Sequence, residues 1–83
     1  MTNEQINLVF KIVAKMAEND DTKPIVYLDI LQETDITHEK LEQILVYLGK
    51  EEFIKIRGRV FTETDVVYIT HKGINKSLSF NKG

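Results

Sequence analysis

Lys55, Arg57 and Arg59 stand two residues apart, interleaved with Ile54, Ile56 and Val60. On an unbroken strand this spacing projects the three basic side chains from one face and Ile54, Ile56 and Val60 from the other. Such a strip suits phosphate contact or minor-groove entry, because guanidinium and ammonium groups displace condensed counterions. It equally suits a strand edge guarded by charge against aggregation. Lys72 and Lys76, further along, would extend the same positive surface. The formal net charge of −2 conceals this asymmetry: residues 1–52 carry five Lys against eleven Asp or Glu, while residues 53–83 carry six Lys or Arg against Glu63 and Asp65. Charge divided between halves in this way points to an electrostatic partner on one side of the molecule.

Other chemistry has little support in the sequence. The two histidines, His38 and His71, fall on different expected elements. His38-Glu39 begins like the helical zinc-protease motif, but Glu42 occupies the place of the second histidine, so the two-ligand face is missing. Asp20-Asp21 lacks the alternating oxygen ligands and closing glutamate of a calcium loop. Gly49, Gly58, Gly73 and Gly83 are too scattered to cradle a phosphate, and the absence of cysteine removes thiolate metal sites, disulfides and a cysteine nucleophile together. No enzyme activity, metal or cofactor is expected.

The elements that must position these residues follow from hydrophobic period. The chain has 83 residues, 42% apolar and 29% charged, which fits one small globular domain and is too apolar for disorder. From about Asn3 to Glu18, residues Ile6, Val9, Phe10, Val13, Met16 and Ala17 form one helical stripe that Leu8 and Ile12 widen. A wide apolar arc fits either a central helix wrapped by its own domain or a subunit interface along Leu8 and Ile12. Residues 19–24 concentrate turn formers, with Pro24 placed to open a second helix through about Glu33 that buries Ile25, Leu28, Ile30 and Leu31. Thr37 is expected to cap a third helix, His38 to Lys50, with Leu41, Ile44, Leu45 and Leu48 inward and Gly49 near its stop. The period then changes to two: residues 53–57 and 66–69 read as strands joined by a turn, and Thr70 caps a last helix to about Ser79 with Ile74 and Leu78 inward. The fold class expected is α+β.

Two stretches carry a resemblance. Residues 36–54 (ITHEKLEQILVYLGKEEFI) place a threonine cap before a helix with leucines at core spacing, then a polar turn into a strand. Residues 68–73 (YITHKG) end a strand in threonine, two polar residues and glycine before a closing helix. Together with the element order these resemble a winged helix-turn-helix domain, and similar stretches recur in MarR-like and PadR-like regulators and in small bacterial and archaeal winged-helix proteins. The resemblance covers most of the chain and implies a single domain over 1–83 with a three-helix core, an antiparallel hairpin wing and a short C-terminal helix. One departure stands out: the position between helix and strand that often carries glycine is Glu52 here.

The resemblance implies a non-enzymatic DNA-binding protein, a small transcriptional regulator acting on double-stranded DNA. Thr37, His38, Lys40 and Gln43 of the third helix, with Lys55, Arg57, Arg59 and Lys72, are then the residues expected to face DNA. Gln43 suits adenine in a major groove, whereas Glu39 and Glu42 repel phosphate. Val46 and Tyr47 on that helix suit contact with protein, so a winged-helix protein-interaction module without DNA binding is the alternative, and a solvated helix face remains open as well. A homodimer through Leu8 and Ile12 of the first helix, or through the terminal helix, would match the twofold symmetry common among DNA readers. The N-terminus has no signal-peptide pattern and no apolar run approaches membrane-spanning length, so a cytoplasmic location without membrane contact is expected.

Overall fold

In the computed structural model, which describes residues 2–81, the chain runs α1 (Asn3–Ala17), β1 (Ile25–Val26), α2 (Tyr27–Glu33), α3 (His38–Lys50), β2 (Ile54–Lys55), β3 (Val66–Ile69) and α4 (His71–Asn81). Among the described residues there are four helices and a three-stranded antiparallel sheet of order β1-β3-β2. The expected α+β class holds, as does an antiparallel pairing between residues 53 and 70: Ile54 faces Ile69 and Lys55 faces Tyr68. Among the described residues no helix is long and apolar enough to cross a membrane.

Each helix begins where local chemistry permits. Thr2 and Gln5 form a reciprocal capping box at the start of α1, Gln5 N–H donating to Thr2 Oγ1 at 3.1 Å and Thr2 N–H to Gln5 Oε1 at 3.2 Å. Thr37 Oγ1 accepts from Lys40 N–H at 3.3 Å and opens α3 as its sequence position implies. Thr70 Oγ1 accepts from Gly73 N–H at 3.0 Å at the start of α4. The apolar faces of α1 (Val9, Phe10, Val13, Ala14, Ala17) and α3 (Leu41, Ile44, Leu45, Leu48) meet Ile30, Ile54, Val67 and Ile69 in one core.

Three expectations are corrected. Ile25-Val26 does not open the second helix; it forms β1, pairing with Val67 and Val66 of β3. A two-residue strand shows no period, and Pro24, which lacks an N–H, suits the approach to a sheet edge as well as a helix start. Helical period sets Tyr27 on a flank of that expected helix; in the structure it is fully buried, and its N–H donates to Asp65 O at 2.7 Å. On the last helix Leu78 is exposed rather than inward, while Phe80 packs edge-on against Phe10 with centroids 5.9 Å apart.

Gly49 does not stop α3, which continues to Lys50. A Cβ there would come within 2.8 Å of Ile56 Cδ1, so the missing side chain lets Ile56 lie against the helix. The stop lies further on. Phe53 N–H donates to Leu48 O and Glu52 N–H to Gly49 O, both at 3.0 Å, and Glu52 has φ 65°, which together make a Schellman motif with glutamate at its left-handed position. Only glycine adopts that region without steric cost. Glu52→Gly is expected to stabilise the protein by about 0.5–1 kcal/mol despite the added freedom of the unfolded chain. A raised urea midpoint with an unchanged m value is the measurement.

Candidate nucleic-acid interface

α3 presents Glu39, Gln43 and Lys50 to solvent, with Val46 half-buried between them. The chain leaves β2 after Lys55 and runs alongside this face. A groove of about 270 Å³ is lined by Val46, Gly49, Lys50, Ile56, Arg57, Gly58 and Arg59. It adjoins a second, of about 450 Å³, lined by Glu39, Glu42, Gln43, Val46 and Arg59. Among the described residues Arg57 and Arg59 make no ion pair, so both guanidinium groups are available to an anion on this side.

The expected basic strip on one strand face is therefore rearranged. β2 stops at Lys55, and the alternation that would have turned Val60 inward ends with it: Val60 is 76% exposed. Phe61 takes the inward place, stacked on Tyr27 with centroids 5.2 Å apart and rings 7° from parallel. Of the residues singled out in the sequence, the structure gathers Gln43, Arg57 and Arg59 with Lys50 along α3. Thr37, His38 and Lys40 sit at the N-terminal end of the same helix. Lys55 lines a different groove with Asp21, Thr22, Val66 and Tyr68, to which Arg57 also contributes. Lys72 lies over the Phe53 ring, 5.1 Å from its centroid, away from the α3 groove. Leu8 is 45% exposed and Ile12 half-buried on α1.

One polar cluster is invisible to sequence period. Tyr27 Oη lies 2.7 Å from His38 Nδ1 and 3.2 Å from His38 O, His38 Nε2 lies 3.3 Å from Glu42 Oε2, and Glu42 Oε2 accepts the Phe61 N–H at 2.8 Å. His38 is thus more than a solvated neighbour of the helix cap. It ties α2, the first turns of α3 and the β2–β3 connection together. The i,i+4 spacing of His38 and Glu42 is readable in the sequence. Tyr27 and Phe61, eleven and nineteen residues from their partners, join only through the fold.

Burial, reinforced by the Glu42 charge, pushes the Tyr27 phenol up to about 12. The folded protein therefore holds this proton more tightly than the unfolded chain, in which tyrosine titrates near 10 (about 10 in model peptides). The resulting stability is complete below about pH 10 and is lost as pH rises towards about 12. Tyr27→Phe is expected to make the alkaline fall in stability shallower and to cost about 1–3 kcal/mol at neutral pH, where His38 loses its phenol partner. Urea midpoints of both proteins between neutral and alkaline pH measure both effects.

No family model, curated protein or solved structure matches the chain. Function therefore rests on the groove itself: a helix face carrying an amide and a lysine, flanked on a neighbouring loop by two arginines that make no ion pair among the described residues.

Proposed function

We propose that the chain is a winged-helix DNA-binding protein, a small transcriptional regulator in which α3 enters the major groove and the β2–β3 connection is the wing. The observation that carries this is the placement of Arg57 and Arg59, free of ion pairs among the described residues, along the exposed face of α3 that holds Gln43 and Lys50. The order helix, strand, helix, helix, hairpin, helix, with sheet order β1-β3-β2, supports the winged-helix assignment. A helix flanked by a basic loop is a recurring way of docking duplex DNA, with the loop on the backbone and the helix on base edges. The acidic residues of α3 weigh less against this than their number suggests. Glu42 is turned to Phe61 N–H and His38, leaving Glu39 as the freely exposed carboxylate of the first turns.

The protein-interaction alternative is favoured by a separate groove of about 430 Å³ between α1, α3 and α4, in which Ile6, Phe10, Tyr47, Phe53 and Phe80 are mixed with Asn3, Asn7, Glu51 and Lys76. Leu8 and Ile12 on α1 are the proposed homodimer contact. Fluorescence titration of a random-sequence duplex at several salt concentrations discriminates the two readings. DNA binding requires an affinity that falls steeply with salt. No binding at low salt transfers the assignment to the protein-partner reading.

A further inference from the structure

We propose that His38 is a protonation-controlled latch: its imidazolium fastens the Phe61 end of the β2–β3 connection to α3 and raises the affinity of the groove for an anionic ligand. The affinity half of this proposal rests on the reading of that groove as a DNA-facing surface; the latch itself does not.

Counting hydrogens identifies the state that the geometry fits. Tyr27 Oη has one hydrogen and two neighbours within reach, His38 Nδ1 at 2.7 Å and His38 O at 3.2 Å. With neutral imidazole carrying its proton on Nε2, the phenol must choose between them; with the proton on Nδ1 both Tyr27 contacts are filled, but Nε2 then turns a lone pair to the Glu42 carboxylate. With imidazolium, Nδ1–H donates to Tyr27 Oη, the phenol donates to His38 O, and Nε2–H donates to Glu42, so every contact is filled. The ionisable groups facing the ring are Tyr27 from α2 and Glu42 from α3 itself. The β2–β3 connection contributes the uncharged Phe61 N–H on Glu42, and Arg59 beside Glu39 and Glu42 in the groove. The positive end of the α3 dipole opposes the cation. The Glu42 carboxylate, whose side chain is 18% exposed, favours it directly through Nε2.

The sign follows. Histidine is the side chain that ordinarily changes charge between pH 5 and 8. At the acid end His38 compensates Glu42, and Glu39 alone faces an incoming phosphate. At the alkaline end Glu42 loses its imidazolium partner and adds its charge to that of Glu39, with Arg59 the cation left beside them in the groove, and Glu42 holds Phe61 without the imidazolium that fixes it. Anion affinity should therefore rise as pH falls.

The test uses the intact protein and its His38→Gln and Glu42→Gln variants, with two readouts between about pH 5.5 and 8. The first, without DNA, is the exchange protection of the Phe61 amide, corrected for intrinsic exchange, together with the nitrogen shifts of the His38 ring. Protection should be higher at the acid end in wild type, with both ring nitrogens protonated there, and should lose its pH dependence in both variants. The second is affinity for a random-sequence duplex, expected to be roughly two- to fivefold tighter at the acid end beyond any change in the variants, the size of one partly exposed charge pair. Equal Phe61 protection at both ends, or variants that follow the wild-type course, overturns the latch whatever DNA does. A Phe61 response without duplex binding at any pH upholds the latch and overturns the DNA reading together with the affinity effect.

Discussion

Replacing Gly73 by alanine is expected to destabilise the protein by about 3 kcal/mol, near the upper end of ordinary overpacking costs. A Cβ at this position would lie 2.1 Å from Phe53 O and 2.8 Å from Ile69 Cγ1. The first of these is backbone and cannot swing aside. Phe53 O already accepts the Thr70 N–H at 3.1 Å, so displacing it strains the junction at which β3 passes into α4. A small domain has only about 5–15 kcal/mol in hand, and such a loss should be plain as a lowered urea midpoint with an unchanged m value. Gly58 is the control, since nothing lies within 4 Å of a Cβ built there. Gly58→Ala should be close to neutral, and a Gly73→Ala protein as stable as wild type would show the close approach to be mistaken.

Gly73 also marks how far the sequence alone reaches. The run Thr70-His71-Lys72-Gly73 marks a strand exit, and Thr70 does cap α4, but the need for glycine comes from Phe53, twenty positions away in the chain. α3 was legible almost to the residue because its cap, its leucine spacing and its length all agree. β1 was not, because two residues carry no period and their strand character comes from pairing with Val66 and Val67. Lys55, Arg57 and Arg59 were legible as a basic group, whereas their division between two grooves was not. That division follows from Phe61, whose burial on Tyr27 draws the chain off the sheet edge after Lys55. Glu52 was visible as an unusual occupant of a glycine position, and its φ of 65° gives that departure a physical cost.

The double change Arg57→Ala, Arg59→Ala is expected to weaken binding across all duplex sequences, by more than removal of any single side chain of α3. Each phosphate neutralised contributes about 0.9 to the slope of log K against log salt for duplex DNA. Losing both arginines should therefore flatten the slope by up to about two units. Both side chains are solvent-exposed and make no ion pair among the described residues, so the fold should be little affected. Gln43→Ala should behave differently if Gln43 reads a base, relaxing preference at one position by roughly 1–3 kcal/mol while leaving the salt slope nearly intact. A double variant that binds as tightly as wild type with the same slope would remove the β2–β3 connection from the mechanism.

Mapping backbone amide shifts while a random-sequence duplex is titrated into the labelled protein tests the proposed interface most directly. The expected perturbations cluster on Thr37–Lys40, Gln43, Val46 and Lys50 of α3 and on residues 56–60 of the β2–β3 connection. Perturbations confined to the Ile6, Tyr47 and Phe80 groove, or none at low salt, would contradict it.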